Sequence, residues 1–308
     1  MLQYLVILLD DTSTSYCHYK NPKTERRLMP LDMLKQGIRF GMMENLMIQY
    51  VYPDYELPED YMDVIESIDH SKIKPIIDDA DVWITDTIRE VKSNVPVVWR
   101  TDKQSLLEHE TDVASVLENV PRLNIVLTDI ETFTENDFES YKTFLYRLGD
   151  KIEKLYISGK SVQLNLLTDR MMLQQMNNCG AGDTTITLAP NGKFYNCPAF
   201  YYDNEADSVG NLEQGLDIKN RQLYKLEYAP ICRQCDAYQC KRCIWLNRKT
   251  TLEVNTPSHE QCVLAHLERN ASRELLQSIR KHGTFLPDRE EIKEIDYLDP
   301  FNIVNTWR

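Results

Sequence analysis

The stretch that most constrains this chain is CRQCDAYQCKRC, residues 232–243, because it holds four cysteines in a C-x2-C-x4-C-x2-C pattern. Thiols this close in sequence either form disulfides or bind a metal group. The chain opens with MLQYLVILLDD, which has neither the basic segment nor the small-residue cleavage site of a secretory signal. The sequence therefore predicts a cytoplasmic protein, and a reducing compartment favours metal binding over disulfides.

Composition narrows the range of partners. The chain has 308 residues and a formal net charge of −13. Nucleic acids and anionic membranes need a basic footprint, so we expect neither as a partner. The longest apolar runs are too short to span a bilayer. The glycine-rich nucleotide-binding motifs G-x-G-x-x-G and G-x-x-x-x-G-K-[ST] do not occur in the sequence, so a phosphate cradle is not expected.

Residues 1–175 show a pattern of alternating strands and helices. Short β-rich runs lie at 4–10, 46–52, 81–86, 95–101, 123–129 and 162–169. Between most of them apolar residues recur at three- and four-residue intervals, which indicates helices. A further short strand near IKPII, residues 73–77, is an additional option. Parallel neighbours need crossover connections, so the pattern predicts an α/β fold, either an open sheet or a partial (β/α)6 barrel.

Acidic residues follow nearly every predicted strand, at the edge of the sheet where ligands gather. They are Asp10, Asp11, Asp54, Asp86, Asp102, Asp129, Glu131 and Asp169. One interpretation is an acidic rim that receives a cationic or metal-bearing ligand, with Asp10, Asp129 and Glu131 as weak catalytic candidates. The alternative is that these side chains cap the helices that follow the strands.

Seven of the eight cysteines follow residue 175, so a second, cysteine-rich region begins there. The first two, Cys179 and Cys197, flank TTITLAP-NG-KFYNCP, which predicts a β-hairpin around Asn191-Gly192. Such a hairpin folds Cys197 back towards Cys179, so both thiolates reach one centre.

The complete cysteine pattern of residues 177–265 resembles the SPASM domain. It has a cysteine, a glycine-bearing hairpin with a cysteine five residues after the glycine, a four-cysteine cluster and a final lone cysteine. The SPASM domain follows the barrel in many radical SAM peptide-modifying enzymes and carries auxiliary iron–sulfur clusters. In the family's usual central cluster the second and third gaps are five and three residues, whereas here they are four and two.

The resemblance implies two [4Fe–4S] clusters and assigns cysteines to them. One site would take Cys232, Cys235, Cys240 and Cys262, and the other would take Cys179, Cys197 and Cys243. The fourth ligand of the second site is not found among the cysteines: the position is open to a substrate thiolate, or Asp203, Asp207 or His259 closes it. The other histidines, His266 included, show no metal-ligand spacing. Zinc is the alternative cofactor, because two C-x2-C pairs also suit a structural tetrahedral site.

The catalytic motif of radical SAM enzymes, C-x3-C-x2-C after the first strand, is missing. In the matching loop DDTSTSYCHYKN, aligning Cys17 with the third ligand puts Asp10 and Thr14 at the first two positions. The glycine-glycine-glutamate turn after the second strand is replaced by VYPDYELP. We therefore expect no cleavage of S-adenosylmethionine by this chain. Cys17 is then a reactive thiol with His18 as its base, a leftover ligand, or a small buried hydrophobic residue.

Together with the cysteine pattern, YLVILLDDTSTSYCHYKNP and GMMENLMIQYVYPDYELP resemble the CXXX repeat peptide maturases. These are radical SAM–SPASM-like proteins without the catalytic motif. The resemblance implies a ribosomally made cysteine-repeat precursor peptide as partner, and a separate radical SAM enzyme as a second one. The implied role is peptide maturation, by binding the precursor or by relaying electrons. The alternative is a zinc-stabilised peptide- or protein-binding module.

The predicted organisation has three parts: a degenerate barrel at 1–175, a SPASM-type domain at 176–265, and a C-terminal part at 266–308. The last part begins with an amphipathic helix, LAHLERNASRELLQSIRKHG, which ends at Gly283. It ends with a tail containing Trp307, which we expect to dock onto the barrel.

Overall fold

The computed structural model describes residues 1–288 and 292. Contacts divide the chain into two compact units, each built from two stretches of sequence. The first unit is Met1–Thr85 with Cys179–Ala229, and the second is Asp86–Asn178 with Pro230–Arg308. The three-part division at 175 and 265 stays a prediction, and the predicted docking of Trp307 lies outside the described residues. In the described part of the chain, no helix combines the length and apolar character that crossing a membrane requires.

The strands are, in chain order, β1 Tyr4–Leu8, β2 Met47–Val51, β3 His70–Lys74, β4 Val82–Thr85, β5 Val97–Thr101, β6 Leu123–Leu127, β7 Thr185–Leu188, β8 Phe194–Tyr195, β9 Gly210–Asn211 and β10 Gly215–Leu216. The α-helices are α1 Leu31–Met43, α2 Glu59–Ile65, α3 Lys103–Glu108, α4 Glu110–Val116, α5 Glu135–Ile157, α6 Asp169–Met172, α7 Pro198–Asp203, α8 Ile244–Thr251 and α9 His259–Arg280. Strands and helices alternate in part of the first half, as predicted, but β3, β4 and β5 follow one another without a helix between them.

The first unit is built on strands in the order β4-β3-β2-β1-β7-β8. All neighbours are parallel except β7 and β8, which form the predicted antiparallel hairpin. Gly192 sits in its turn with φ +75°, a left-handed conformation that glycine adopts without strain. One face of the sheet packs Leu5, Ile7 and Ile48 into a core with residues of α1 and α2. These positions alternate along β1 and β2, so the buried face follows from the strand periodicity.

The second unit contains the parallel pair β5 and β6 and two long helices, α5 and α9. A capping box formed by Thr134 and Asp137 begins α5, where the sequence predicts a helix. The Tyr146 hydroxyl donates to Glu274 Oε1 on α9 at 2.9 Å, and the Ser278 hydroxyl of α9 donates to Glu153 Oε1. These bonds between α5 and α9 fix the position of the helix that carries Cys262.

The predicted strand at 162–169 is wrong. Only Leu164 forms a bridge, to Leu123, and the chain then turns into α6. The reason is local: the Thr168 hydroxyl donates to the Leu164 carbonyl at 2.9 Å and accepts from its N–H at 2.8 Å. These side-chain bonds close a turn and compete with a sheet ladder.

The optional strand near 73–77 is real but lies earlier, as β3 with the sequence HSKIK. Because β3 contains charged residues, a pattern of hydrophobic residues does not identify it as a strand. The stem of Lys72 is buried while its ammonium group pairs with Glu66 and Asp79, each at 2.6 Å. The predicted α/β fold class, with its mainly parallel strands, is confirmed.

The packing of α1 on β7 gives a test of the first unit. A side chain at Gly37 would clash with buried Leu188, so we expect Gly37→Val to lower the free energy of unfolding by about 1–3 kcal/mol. Gly149→Ala in α5 is the matched control: nothing lies within 4 Å of the added carbon, and a gain of about 0.5–1 kcal/mol is expected. Urea unfolding of both variants measures this, and a wild-type midpoint for Gly37→Val contradicts the packing.

Candidate metal centre

Four cysteines of the second unit line one small cavity. They are Cys232, Cys235, Cys240 and Cys262, and the other lining residues are Met176, Ile231, Pro257, Gln261, Ala265 and His266. The cavity measures ≈ 20 Å³, which is room for about one water molecule. This is the set that the sequence resemblance assigns to a four-thiolate site. The structure brings the four residues together, and their role as ligands stays a prediction.

Residues 232–243, the cysteine segment, contain tight turns that point backbone N–H groups at the sulfurs. The N–H of Ala237 donates to Cys235 Sγ and the N–H of Arg242 donates to Cys240 Sγ, both at 3.5 Å. Arg242 adopts a left-handed φ of 46° to complete its turn. Hydrogen bonds of this kind favour a thiolate over a thiol, so the local backbone suits metal-bound sulfur.

Burial has the opposite effect on the same thiols. It raises the pKa of Cys232 to about 11, with a smaller increase from Cys235 and a decrease from Arg242. Burial also raises the pKa of Cys240, against the effect of the Arg242 N–H. Without a cation these groups therefore stay protonated at neutral pH. A metal that binds here must displace their protons, so its binding strengthens as the pH rises.

Besides Cys262, helix α9 contributes the side chains of His266 and Gln261 to this cavity. His266 is 6% exposed, and its Nε2 atom lies 3.8 Å from Cys235 Sγ. Gln261 is 7% exposed, and its Oε1 atom has no hydrogen-bond partner among the described residues. Sequence reasoning missed both residues. The signal was present, because His266 follows Cys262 by four positions and a helix places such residues on one face.

A second layer of polar groups holds the cysteine segment against the helices. Gln239 donates to the Ala265 carbonyl at 2.7 Å and to Glu268 Oε2 at 3.2 Å, and the Tyr141 hydroxyl donates to Glu268 Oε1 at 2.8 Å. Burial raises the pKa of Glu268 to about 7, although the bonds from Tyr141 and Gln239 lower it. Near neutral pH this carboxyl is therefore partly protonated, which reduces the negative charge beside the thiols.

Asp236 ties the cysteine segment to two other elements. Its carboxylate accepts from Arg269 of α9 at 3.0 Å and lies 4.0 Å from Arg170 of α6. The Arg170 Nε atom also donates to the Asp236 carbonyl at 3.0 Å. Because Asp236 directly follows Cys235, these bonds fix where that thiol lies.

The acids at the strand ends have structural partners. Asp102 caps α3 by accepting from the Ser105 N–H at 2.7 Å, as the alternative interpretation predicted. Asp129 accepts from the Lys103 N–H at 3.1 Å, and burial raises its pKa. Glu131 pairs with Lys249 at 2.8 Å. Asp54, Asp86 and Asp169 pair with arginines.

The loop after β1 is closed by its own side chains. Asp10 is 0% exposed, and its Oδ1 atom accepts from the Thr12 N–H at 2.7 Å and from the Thr12 hydroxyl at 2.5 Å. The Asp10 N–H donates to Ser13 Oγ, which in turn donates to the Val51 carbonyl at 2.8 Å. The next residue, Asp11, pairs with Arg27 at 2.8 Å and accepts from the Tyr201 hydroxyl. The carboxylate of Asp10 therefore closes a buried turn.

The remaining predicted ligands are divided between the units. Cys17, Cys179 and Cys197 belong to the first unit, and Cys243 belongs to the second, where its Sγ accepts from the Leu246 N–H at the start of α8. His259 meets the ring of Phe138 edge-on, with centroids 6.2 Å apart. Within residues 1–288 and 292, no three His, Cys, Asp or Glu side chains are gathered closely enough to hold an ion as they stand.

Comparison with known proteins gives a fold and no family. No family profile matches the sequence, and no curated protein matches it. Among solved structures, the chain is similar to anSMEcpe with bound AdoMet, with a TM-score of 0.63 and 12% identity over 90% of this chain and 96% of that one. It is similar to anSMEcpe with bound AdoMet and Cp18Cys peptide, with a TM-score of 0.63 and 12% identity over 91% and 100%. SuiB of Streptococcus suis bound to precursor peptide SuiA has a TM-score of 0.47 and 11% identity over 83% and 75%.

The likeness to anSMEcpe confirms the predicted fold class. anSMEcpe is a radical SAM anaerobic sulfatase maturase with a SPASM domain, and the α/β fold of this chain follows it over nearly its whole length. At 12% identity the likeness concerns the fold alone.

The cavity gives a direct test through its cysteines. Removing one ligand leaves three buried thiolates, which bind the metal less tightly than four. Cys235→Ala should therefore lose about half of the metal that the wild type binds. Limited proteolysis should then cut the segment that follows Pro230. Gln277→Ala, on the exposed face of α9, is the matched control and should keep both metal and protease resistance. Full metal content in Cys235→Ala contradicts the assignment.

Proposed function

We propose that this chain takes part in the maturation of a ribosomally synthesised cysteine-repeat peptide, as a SPASM-type iron–sulfur protein without a radical SAM cluster of its own. It binds the precursor peptide, relays electrons to a partner radical SAM enzyme, or does both. The supporting observation is that Cys232, Cys235, Cys240 and Cys262 line one cavity in a chain with the fold of anSMEcpe. Their order resembles the SPASM pattern, with a shorter gap between Cys235 and Cys240.

The residues around the cavity suit an iron–sulfur group chemically. The four cysteines would supply a complete thiolate set, and the Ala237 and Arg242 N–H groups would hold two of the sulfurs. Met176, Ile231 and Ala265 wall off water. When bound, a cluster supplies one-electron transfer, and the protein sets its potential through burial and hydrogen bonds to sulfur.

A second pocket supports a peptide as the ligand. A pocket of ≈ 580 Å³ on the second unit shares Pro257 with the cysteine cavity. Besides Pro257, the residues that line it carry polar groups along with apolar surface: Glu131, Lys249, Thr250, Thr251, Thr256, Ser258, His259 and Glu260. Hydroxyl groups with one ion pair can bind peptide backbone, and the size is typical of ligand pockets. The neighbouring structure with Cp18Cys peptide makes a peptide the natural class of ligand to test here.

The loop after β1 is the reason that the proposed function includes no radical SAM cluster. Three thiolates are needed to leave one iron free for the amino and carboxyl groups of S-adenosylmethionine, and this loop has only Cys17. The position of the first ligand is taken by Asp10, whose carboxylate is used in a buried turn. The chain therefore keeps the scaffold without the ligands for that chemistry.

Zinc is the second candidate, and the cavity volume favours it. A space of ≈ 20 Å³ suits a single ion more readily than a four-iron cluster, which would push the cysteine side chains outward. A closed four-thiolate zinc site would stabilise the second unit and leave a peptide-binding module without redox chemistry.

One anaerobic assay tests the proposed function. The reconstituted protein is mixed with S-adenosylmethionine, a reductant and a fluorescent cysteine-repeat peptide, and anSMEcpe serves as the positive control for cleavage. We expect saturable peptide binding by anisotropy, an unchanged peptide mass and no 5′-deoxyadenosine. Turnover of S-adenosylmethionine would show that the chain has a radical cluster, and absence of peptide binding would contradict the proposed partner.

A further inference from the structure

Leu252 directly follows helix α8 and stands in the chain between residues that line the ≈ 580 Å³ pocket of the second unit. We propose that Leu252 is a specificity-determining residue of this pocket, and that it packs on an apolar side chain of the bound peptide. This inference deepens the proposed function and rests on it for the class of ligand. It adds that the peptide carries an apolar residue beside the backbone that the pocket binds.

The backbone of Leu252 has a left-handed conformation, with φ 64° and ψ 7°. In this region the Cβ atom of an L-residue crowds the following carbonyl oxygen, which is why glycine or asparagine usually follows a helix. Within the described part of the chain, the other leucine with a positive φ is Leu286, and it is half-buried. A leucine at position 252 therefore destabilises the folded chain relative to glycine.

The side chain of Leu252 does not offset this strain by burial. It is 85% exposed, whereas Trp245 and Leu246 of the preceding helix are 8% and 2% exposed. A leucine stabilises a fold mainly through the apolar surface that it buries, and this one buries little. Backbone strain of this kind is concentrated at sites that serve a ligand. A ligand that covers Leu252 would gain the burial that folding leaves unused.

Hydrogen bonds hold the loop on both sides of Leu252. The Thr251 hydroxyl is a donor that lies 2.8 Å from the carbonyl oxygens of both Asn247 and Thr256. Asn247 is 0% exposed, and its Nδ2 atom donates to the Val254 carbonyl at 3.0 Å. The leucine is therefore presented by a fixed loop, so little conformational entropy is lost when a ligand packs on it.

The neighbours of Leu252 in the chain form part of the pocket wall. Thr251 precedes it and Thr256 follows it in the same loop, and both line the pocket. Glu131 and Lys249 also line the pocket and pair at 2.8 Å, so their charges offset each other. Polar groups that orient a ligand and apolar surface that supplies affinity are the usual combination in binding pockets. A peptide fits this arrangement when an apolar side chain accompanies the backbone that enters the pocket.

Peptide binding to two variants of Leu252 tests the proposal. The probes are two fluorescent cysteine-repeat peptides that differ only in the residue after each cysteine, which is leucine in one and serine in the other. We expect the wild type to bind the leucine peptide about tenfold more tightly than the serine peptide, as burial of one apolar side chain predicts. Leu252→Gly and Leu252→Ala should bind the leucine peptide about tenfold more weakly than the wild type does, and should lose the preference.

Urea unfolding of the same variants separates this role from a structural one. Leu252→Gly should unfold at a higher urea concentration than the wild type, because glycine relieves the left-handed strain. Leu252→Ala keeps a Cβ atom and therefore the strain, so its midpoint should stay near that of the wild type. A side chain that only supported the fold would lower the midpoint in both variants, and that result overturns the proposal.

Ile157→Ala is the matched control, because Ile157 ends α5 with its side chain 54% exposed. This variant removes an apolar side chain from the same unit and should leave binding of the leucine peptide unchanged. Equal binding of the leucine peptide by the wild type and Leu252→Gly overturns the inference and leaves the proposed function in place. If the wild type binds neither peptide, the proposed function fails, and the inference fails with it.

Discussion

The second unit depends on the meeting of Cys262 on α9 with the three cysteines of residues 232–240. Burial keeps thiols such as Cys232 protonated, so the cavity without a cation is a cluster of poorly solvated weak donors. A bound metal would replace their protons and contribute its binding energy to folding. For that exchange to work, α9 must be fixed in advance. Two hydrogen bonds to α5 do this: Tyr146 of α5 donates to α9, and Ser278 of α9 donates to α5.

The loop after β1 is fixed by hydrogen bonds of its own side chains. In the proposed interpretation, the radical SAM scaffold is retained while the position of a cluster cysteine becomes Asp10. The carboxylate does not leave a gap, because it binds the Thr12 N–H and hydroxyl in a buried turn. The loop that follows is then bound to α7 through Tyr201 and Tyr202. The loop is therefore fixed by contacts inside the first unit.

Some of this could be predicted from sequence and some could not. Apolar periodicity predicts β1 and α5, and Asn191-Gly192 predicts the hairpin, because these depend on nearest neighbours. It offers β3 only as an option at 73–77, later than its true position, because Lys72 is satisfied by Glu66 and Asp79 only in the folded chain. It misplaces a strand at 162–169, where Thr168 bonds its own backbone. His266 could have been found from its spacing to Cys262, but the contact between Tyr19 and Tyr202 depends on packing that no local pattern contains.

Native mass spectrometry of anaerobically purified protein measures most directly whether the cysteines hold iron–sulfur clusters. Spraying the intact chain and its acid-denatured form gives the mass of the bound group without any assumption about its spectrum. If the proposed function is right, the difference is roughly 700 Da, which corresponds to two four-iron, four-sulfide groups. Steps of about 65 Da each, as expected for zinc ions, would contradict it.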